Sequence, residues 1–218
     1  MTVDLITLKD PRSPASDAYR TLRTNLLFSN LDQQVITIGV TAPAQDNHKS
    51  VATANLAVTL AQSGRRTVLV DADLRRPEQH TVWGLPNERG LTTMVLENSA
   101  LENPPVNETE VENLWVLTSG PLPPNPVDVL ASVRMDNVIQ QLMKSADFLV
   151  FEMPPVLVAA DALVLGQKLG GALLVVQANK SRRDHATRAK LQLERVGVRL
   201  LGAVLLDAKP DRTSMSYR

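Results

Sequence analysis

Between Val35 and Gln62 the chain runs from a short apolar stretch, through a polar loop, into an alanine-rich stretch, and this order restricts the fold more than any other part of the sequence. Val35-Ile36-Thr37-Ile38-Gly39-Val40 is continuous and rich in β-branched residues, as a strand buried on both faces must be. Val51 to Gln62 has the composition of a helix. The loop between them, Thr41-Ala42-Pro43-Ala44-Gln45-Asp46-Asn47-His48-Lys49-Ser50, ends on a Lys-Ser pair at the helix start. A strand, such a loop and a helix place backbone N–H groups and a helix N-terminus where they can receive phosphate. Loops of this kind depend on glycine, and none lies between Thr41 and Ser50.

Apolar runs recur at Val35–Val40, Thr67–Val70, Leu114–Leu117, Phe148–Phe151, Ala172–Val176 and Leu200–Leu206, and helical segments are expected at Ser50–Gln62, Val133–Lys144, Ala160–Leu169 and Arg182–Val196. A further helix, near Pro14 to Leu27, precedes the first strand. The alternation predicts an α/β fold with a doubly wound, mostly parallel sheet. Aromatic residues make up 3% of the chain against 44% hydrophobic, so the core must be aliphatic, which suits a parallel sheet under helices. Pro104-Pro105 and Pro121-Leu122-Pro123-Pro124-Asn125-Pro126 mark loops. At 218 residues, without a long linker, a single domain over 1–218 is expected. Lysine and arginine total 23, as do aspartate and glutamate, so no global field draws in nucleic acid or anionic lipid. The absence of cysteine excludes disulfides and thiolate metal sites. No signal peptide is read at Met1-Thr2-Val3-Asp4-Leu5, and no apolar stretch approaches the roughly 20 residues that span a bilayer. Direct membrane insertion is therefore not expected.

Two more strand ends carry carboxylates. Val68-Leu69-Val70-Asp71-Ala72-Asp73-Leu74-Arg75-Arg76-Pro77 places Asp71 and Asp73 at the carboxyl edge of the sheet, on one side if the strand persists. Such a pair can hold magnesium or its waters, or accept a hydroxyl proton. The plainer reading makes Asp71 a turn cap paired with Arg75. Phe148-Leu149-Val150-Phe151-Glu152-Met153-Pro154-Pro155 closes another apolar strand on an acid. Alone, that is an ordinary strand end; the three sites in this order are far more specific.

Together these segments resemble the bacterial tyrosine kinases (BY-kinases), P-loop kinases of exopolysaccharide synthesis related to the deviant-Walker partition and division-site ATPases. The resemblance spans nearly the whole chain. Ser13 to Asn25 is similar to the family's N-terminal helix, Val68 to Arg75 to its Walker A′ motif, Ser119 to Pro126 to its proline loop, and Asp147 to Leu157 to its Walker B region. The resemblance implies Asp71 and Asp73 as catalytic residues, Lys49 and Ser50 on ATP phosphates, and Ser50, Asp71 and Glu152 around Mg2+. It also implies assembly, possible as a ring, through Asp17, Arg20 and Arg23 on a helix at about 14–28, with Tyr217 as phosphoacceptor in a tail at about 208–218. Residues at that helix spacing share one face.

The departures fall on the chemistry. Asp46 and His48 stand where the family has glycine. A non-glycine residue forced left-handed costs about 1–2 kcal/mol. The His48 ring is expected where the β-phosphate would lie. The Asp46 charge would oppose each phosphate charge by about 3 kcal/mol at roughly 5 Å and an effective dielectric near 20. Even half of that weakens ATP binding more than about tenfold. Glu152 replaces an aspartate and Leu206 an adenine-reading asparagine, for which Asp207 could substitute. The expectation is a catalytically impaired pseudokinase, a scaffold or regulatory subunit in exopolysaccharide or capsule synthesis, with ATP and Mg2+ binding weakened or lost. Its partner would be a membrane-anchored polysaccharide chain-length regulator, holding a cytoplasmic protein at the inner membrane face. Lys49, Arg75, His48, Asp46, Asp71, Asp73 and Glu152 are then expected to form an internal salt-bridge network in place of the ligand. The alternatives are an active ATP-dependent tyrosine autokinase with an atypical loop, and a partition-type regulatory ATPase.

Overall fold

The computed structural model describes residues 3–28, 35–45 and 48–208. In chain order the elements are α1 (Ile6–Lys9), α2 (Pro14–Phe28), β1 (Thr37–Thr41), α3 (Lys49–Ala61), β2 (Thr67–Asp71), α4 (Gln79–Trp83), α5 (Leu91–Leu96), α6 (Asn98–Glu102), β3 (Asn107–Glu108), β4 (Leu114–Leu117), α7 (Pro126–Ala131), α8 (Val133–Met143), β5 (Phe148–Glu152), α9 (Asp161–Gly166), β6 (Gly171–Gln177), α10 (Arg183–Arg195) and β7 (Leu200–Leu206). The strands form one sheet in the order β3-β4-β2-β5-β1-β6-β7. All pairings are parallel except that of β3 with β4. The expected doubly wound P-loop NTPase architecture is present.

Successive strand residues feed opposite faces, as the pleat requires. Ile38, Leu69, Val150 and Leu173 join the core beneath α1–α4. Val70, Leu149, Phe151 and Leu174 join the core beneath α5 and α7–α10. Helix α3 is buried at 12 of its 13 positions. Its Ala52, Ala54, Ala57 and Ala61 are small enough to let it lie close on the sheet. A helix apolar almost all round belongs inside. Asn55 Oδ1 on α3 accepts from Thr7 N and Thr7 Oγ1, fastening α1 to it. On α2, the Tyr19 phenol is pushed up to about 12 by burial and by the Asp207 charge just after β7.

Several elements lay outside the sequence expectation. Helices α1, α4, α5, α6 and α7 and the two-residue antiparallel strand β3 are short, and periodicity does not register at that length. Pro126, assigned to a loop, starts α7, where its missing N–H costs nothing. The predicted first strand begins two residues late, at Thr37.

Candidate functional site

The carboxyl ends of β1, β2 and β5 meet the N-terminus of α3, at the edge where an open α/β sheet places ligands. Parallel register sets Asp71 of β2 beside Glu152 of β5. Lys49, in the first turn of α3, reaches across both. Its Nζ donates to Asp73 Oδ2 at 2.9 Å, Glu152 Oε1 at 2.7 Å and Met153 O at 2.8 Å. Three acceptors use all three ammonium hydrogens. Lys49 is 3% exposed and Glu152 fully buried. Burial alone would lower the Lys49 pKa, but the charges of Glu152 and Asp73 more than reverse this and hold it above its ordinary value.

Asp71 is a cap. Its Oδ1 accepts from Asp73 N at 3.2 Å, and its Oδ2 accepts from Glu78 N at 3.0 Å and Gln79 N at 2.9 Å. Strand β2 ends at Asp71, so Asp73 reaches Lys49 from the turn and not by strand alternation. The Asp71 carboxyl is pushed well above the usual range, first by burial and then by the Glu152 charge. The Gln79 N–H and Lys49 act in the opposite direction.

Ser50 Oγ lies 2.7 Å from Glu78 Oε2 and 2.5 Å from Glu152 Oε1. One hydroxyl hydrogen cannot serve two carboxylates, so these oxygens have room for a further positive partner. A hydroxyl and carboxylate oxygens are hard donors of the kind magnesium takes. No group of three or more His, Cys, Asp or Glu among the described residues forms a complete cage, so water or phosphate would complete the shell. Ser50 and Glu152 offer such donors, with Asp71 beside Glu152 on the neighbouring strand. Glu78, Gln79 and Trp83 went unnoticed in the sequence. Gln79 Nε2 donates to Ser50 O and Glu152 Oε2, and Trp83 Nε1 to Gln79 Oε1. Their only signal was their closeness to Asp73.

The internal network forms around Lys49 with Asp73 and Glu152 as its ion pairs, and Arg75 is not part of it. Arg75 turns to buried Asp161, with Nε at 3.1 Å and 3.2 Å from its carboxylate oxygens. The plainer pairing of Arg75 with Asp71 is likewise not found. His48 is exposed and lines a neighbouring cavity. It has φ −101° and ψ −12°, a right-handed conformation open to any residue, so the expected left-handed strain is absent at this position. Asp46 lies outside the described residues, as does Tyr217. Leu206 ends β7, and Asp207 accepts from Gln177 Nε2. On α2, Arg20 pairs with Asp17 at 2.6 Å, whereas Arg23 Nη1 donates inward to Thr59 O at 2.9 Å. The three therefore do not present one free face.

The ParA family, described as NUBPL iron-transfer P-loop NTPase, matches residues 47–205. The tyrosine-protein kinase YwqD of Bacillus subtilis strain 168 is 38% identical over 98% of this chain and 90% of its own. Among solved structures, the chimerical protein CapA2B2 aligns with a TM-score of 0.87 at 37% identity, covering 92% of this chain and 88% of the other. The kinase domain of Escherichia coli tyrosine kinase ETK aligns with a TM-score of 0.85 at 27% identity, covering 96% and 84%. Likeness of this extent, on a fold whose strand ends carry Asp71, Asp73 and Glu152, shows that the chain belongs to the bacterial tyrosine kinase family of P-loop NTPases.

Proposed function

We propose that the chain is a catalytically impaired member of this family, a scaffold or regulatory subunit in exopolysaccharide or capsule synthesis. The observation that supports this is the engagement of Lys49. In a phosphate-binding loop that lysine meets the phosphates; here Asp73, Glu152 and Met153 O take it up. Drawing it away leaves two buried carboxylates without their cation, a cost on the order of 3–5 kcal/mol. The cleft between Lys49, Ser50, Asp73, Glu78 and Pro155 measures about 50 Å³, room for a few waters but not a triphosphate. Asp46, a carboxylate in place of a loop glycine, points the same way.

When bound, magnesium would neutralise charge on a transferring phosphate, held by Ser50, Asp71 and Glu152. A partner anchored in the membrane, of the polysaccharide chain-length regulator type, would hold the subunit at the inner membrane face. No helix among the described residues is long and apolar enough to cross a membrane. The CapA2B2 neighbour is a chimera, which joins segments of different chains and supports looking for such a partner.

One observation favours the active-kinase reading. His48 is unstrained, and Ser50, Asp71 and Asp73 converge beside Lys49. There Asp71, with its raised pKa, would take the tyrosine hydroxyl proton. Calorimetric titration with magnesium-ATP and a turnover assay separate the two. The impaired reading expects no turnover above background and no phosphotyrosine. Micromolar magnesium-ATP binding with hydrolysis lost in Asp71→Asn establishes the active kinase instead.

A further inference from the structure

The balanced total charge conceals a local excess. Lys180 to Arg199 carries seven lysines and arginines against two acids, Asp184 and Glu194. Both acids are already engaged, Asp184 by Arg182 at 3.0 Å and Glu194 by Lys190 at 3.7 Å. Arg183, Arg188 and Arg195 make no ion pair among the described residues. Most of the segment is α10, which turns Ala189 and Leu193 into the core. Its outer face exposes Arg183, Arg188, Lys190 and Arg195. Arg188, Leu191 and Arg195 follow one another at spacings of three and four, so they form one stripe along that face. In the middle of the stripe Leu191 is 56% exposed, and it belongs to neither core.

Two observations coincide here, a basic face with spare charge and an apolar side chain standing out from it. A duplex backbone is met by charge and hydrogen-bond donors and leaves such a leucine in water. An apolar protein groove buries the leucine but strips water from the arginines. An anionic bilayer surface satisfies both, because basic groups stay at the lipid phosphates while an apolar side chain enters below them. We infer that α10 lies on an anionic lipid surface, with Arg188 and Arg195 on headgroup phosphates and Leu191 inserted at the boundary between headgroups and acyl chains. The contact is peripheral, since no helix among the described residues is long and apolar enough to cross a membrane. It adds a direct lipid contact to the partner-mediated anchoring proposed above, and it stands whether or not the nucleotide site turns over. A few charges and one leucine make a weak, salt-sensitive hold, which suits a subunit that a partner also retains.

The test mixes the whole chain with vesicles of phosphatidylcholine and phosphatidylglycerol, or of phosphatidylcholine alone, and measures bound protein by co-sedimentation. Binding is expected to the anionic vesicles only, and to fall as salt is raised. Arg188→Ala and Arg195→Ala should each weaken it about fivefold, the equivalent of about 1 kcal/mol per charge at such a surface. Leu191→Gln keeps every charge and should weaken it about tenfold. Arg12→Ala removes an exposed charge between α1 and α2, over the other core, and should leave binding unchanged. All four positions are exposed, and circular dichroism verifies that the variants fold. Equal binding to phosphatidylcholine alone, no binding to anionic vesicles, or indifference to the arginine or leucine substitutions would each overturn the inference. Tighter binding to a DNA duplex than to vesicles would give the face to nucleic acid and overturn it as well. These failures are distinct from that of the impaired-kinase reading, which falls on ATP turnover.

Discussion

Lys49 shows how one side chain can tie two buried carboxylates together. With Lys49→Ala, Asp73 and Glu152 lose their shared cation while remaining buried. The expected loss is about 3–5 kcal/mol, read as a lowered urea midpoint. The pH dependence follows from Asp71. Its carboxyl is raised in the folded state, so the fold binds more protons there than the unfolded chain does. Its contribution to stability is therefore greatest below the unfolded value of about 4 and declines as pH rises through the folded value. Lys49 restrains that rise, so its removal should carry the decline in urea midpoint to higher pH. An unchanged midpoint and pH profile would mean that Lys49 is not holding the carboxylates. At this scale the site was partly legible in the chain. Asp71, Asp73 and Glu152 were legible because they end apolar strands. Glu78 and Gln79 were not, because the turn that brings them onto Ser50 has no periodicity to read.

Elements show the same division between what repeats and what does not. The long parallel strands and α3 were legible, since strands buried on both faces need unbroken apolar runs. The span 79–131 was mostly not, because its helices are five or six residues long and are fixed by tertiary contacts. One such contact is the seam between the start of α5 and the loop at 118–121. A Cβ on Gly90 would lie 2.1 Å from Thr118 O and 2.4 Å from Gly120 N, both backbone atoms of a hydrogen-bonded loop. Gly90 has φ −175°, which any residue adopts, so the obstacle is steric alone. A Cβ on Gly39 in β1 would lie 2.4 Å from Met153 Cε, the end of a flexible side chain. Gly90→Ala should therefore lower stability by about 1–3 kcal/mol and Gly39→Ala by clearly less. Thermal melts of the two variants decide it, and equal losses would contradict the distinction between backbone and side-chain neighbours.

For the whole molecule, the sequence predicted a ring through Asp17, Arg20 and Arg23 on one helix face. Helix α2 is where it was expected, but Arg23 turns inward to Thr59 and its buried Nε has no partner among the described residues. Arg20 and Asp17 remain at the surface as a pair. Assembly through α2 would have to open that exposed pair, worth about 0–1 kcal/mol, to make bonds between subunits. Light scattering should then give a multiple of the 23.8 kDa chain, reduced to a single subunit by Arg20→Glu. A monomer at all concentrations before substitution would remove the ring.

Helix α3 has a consequence for genetics. Its first two residues line the candidate site, and most of the rest pack into the core. Substitutions there change how much folded protein a cell retains as well as what that protein can do, since a loss of 1–2 kcal/mol can alter abundance several-fold. A null phenotype from Lys49 or Ser50 would thus be ambiguous between lost chemistry and lost protein until the level of the variant had been measured.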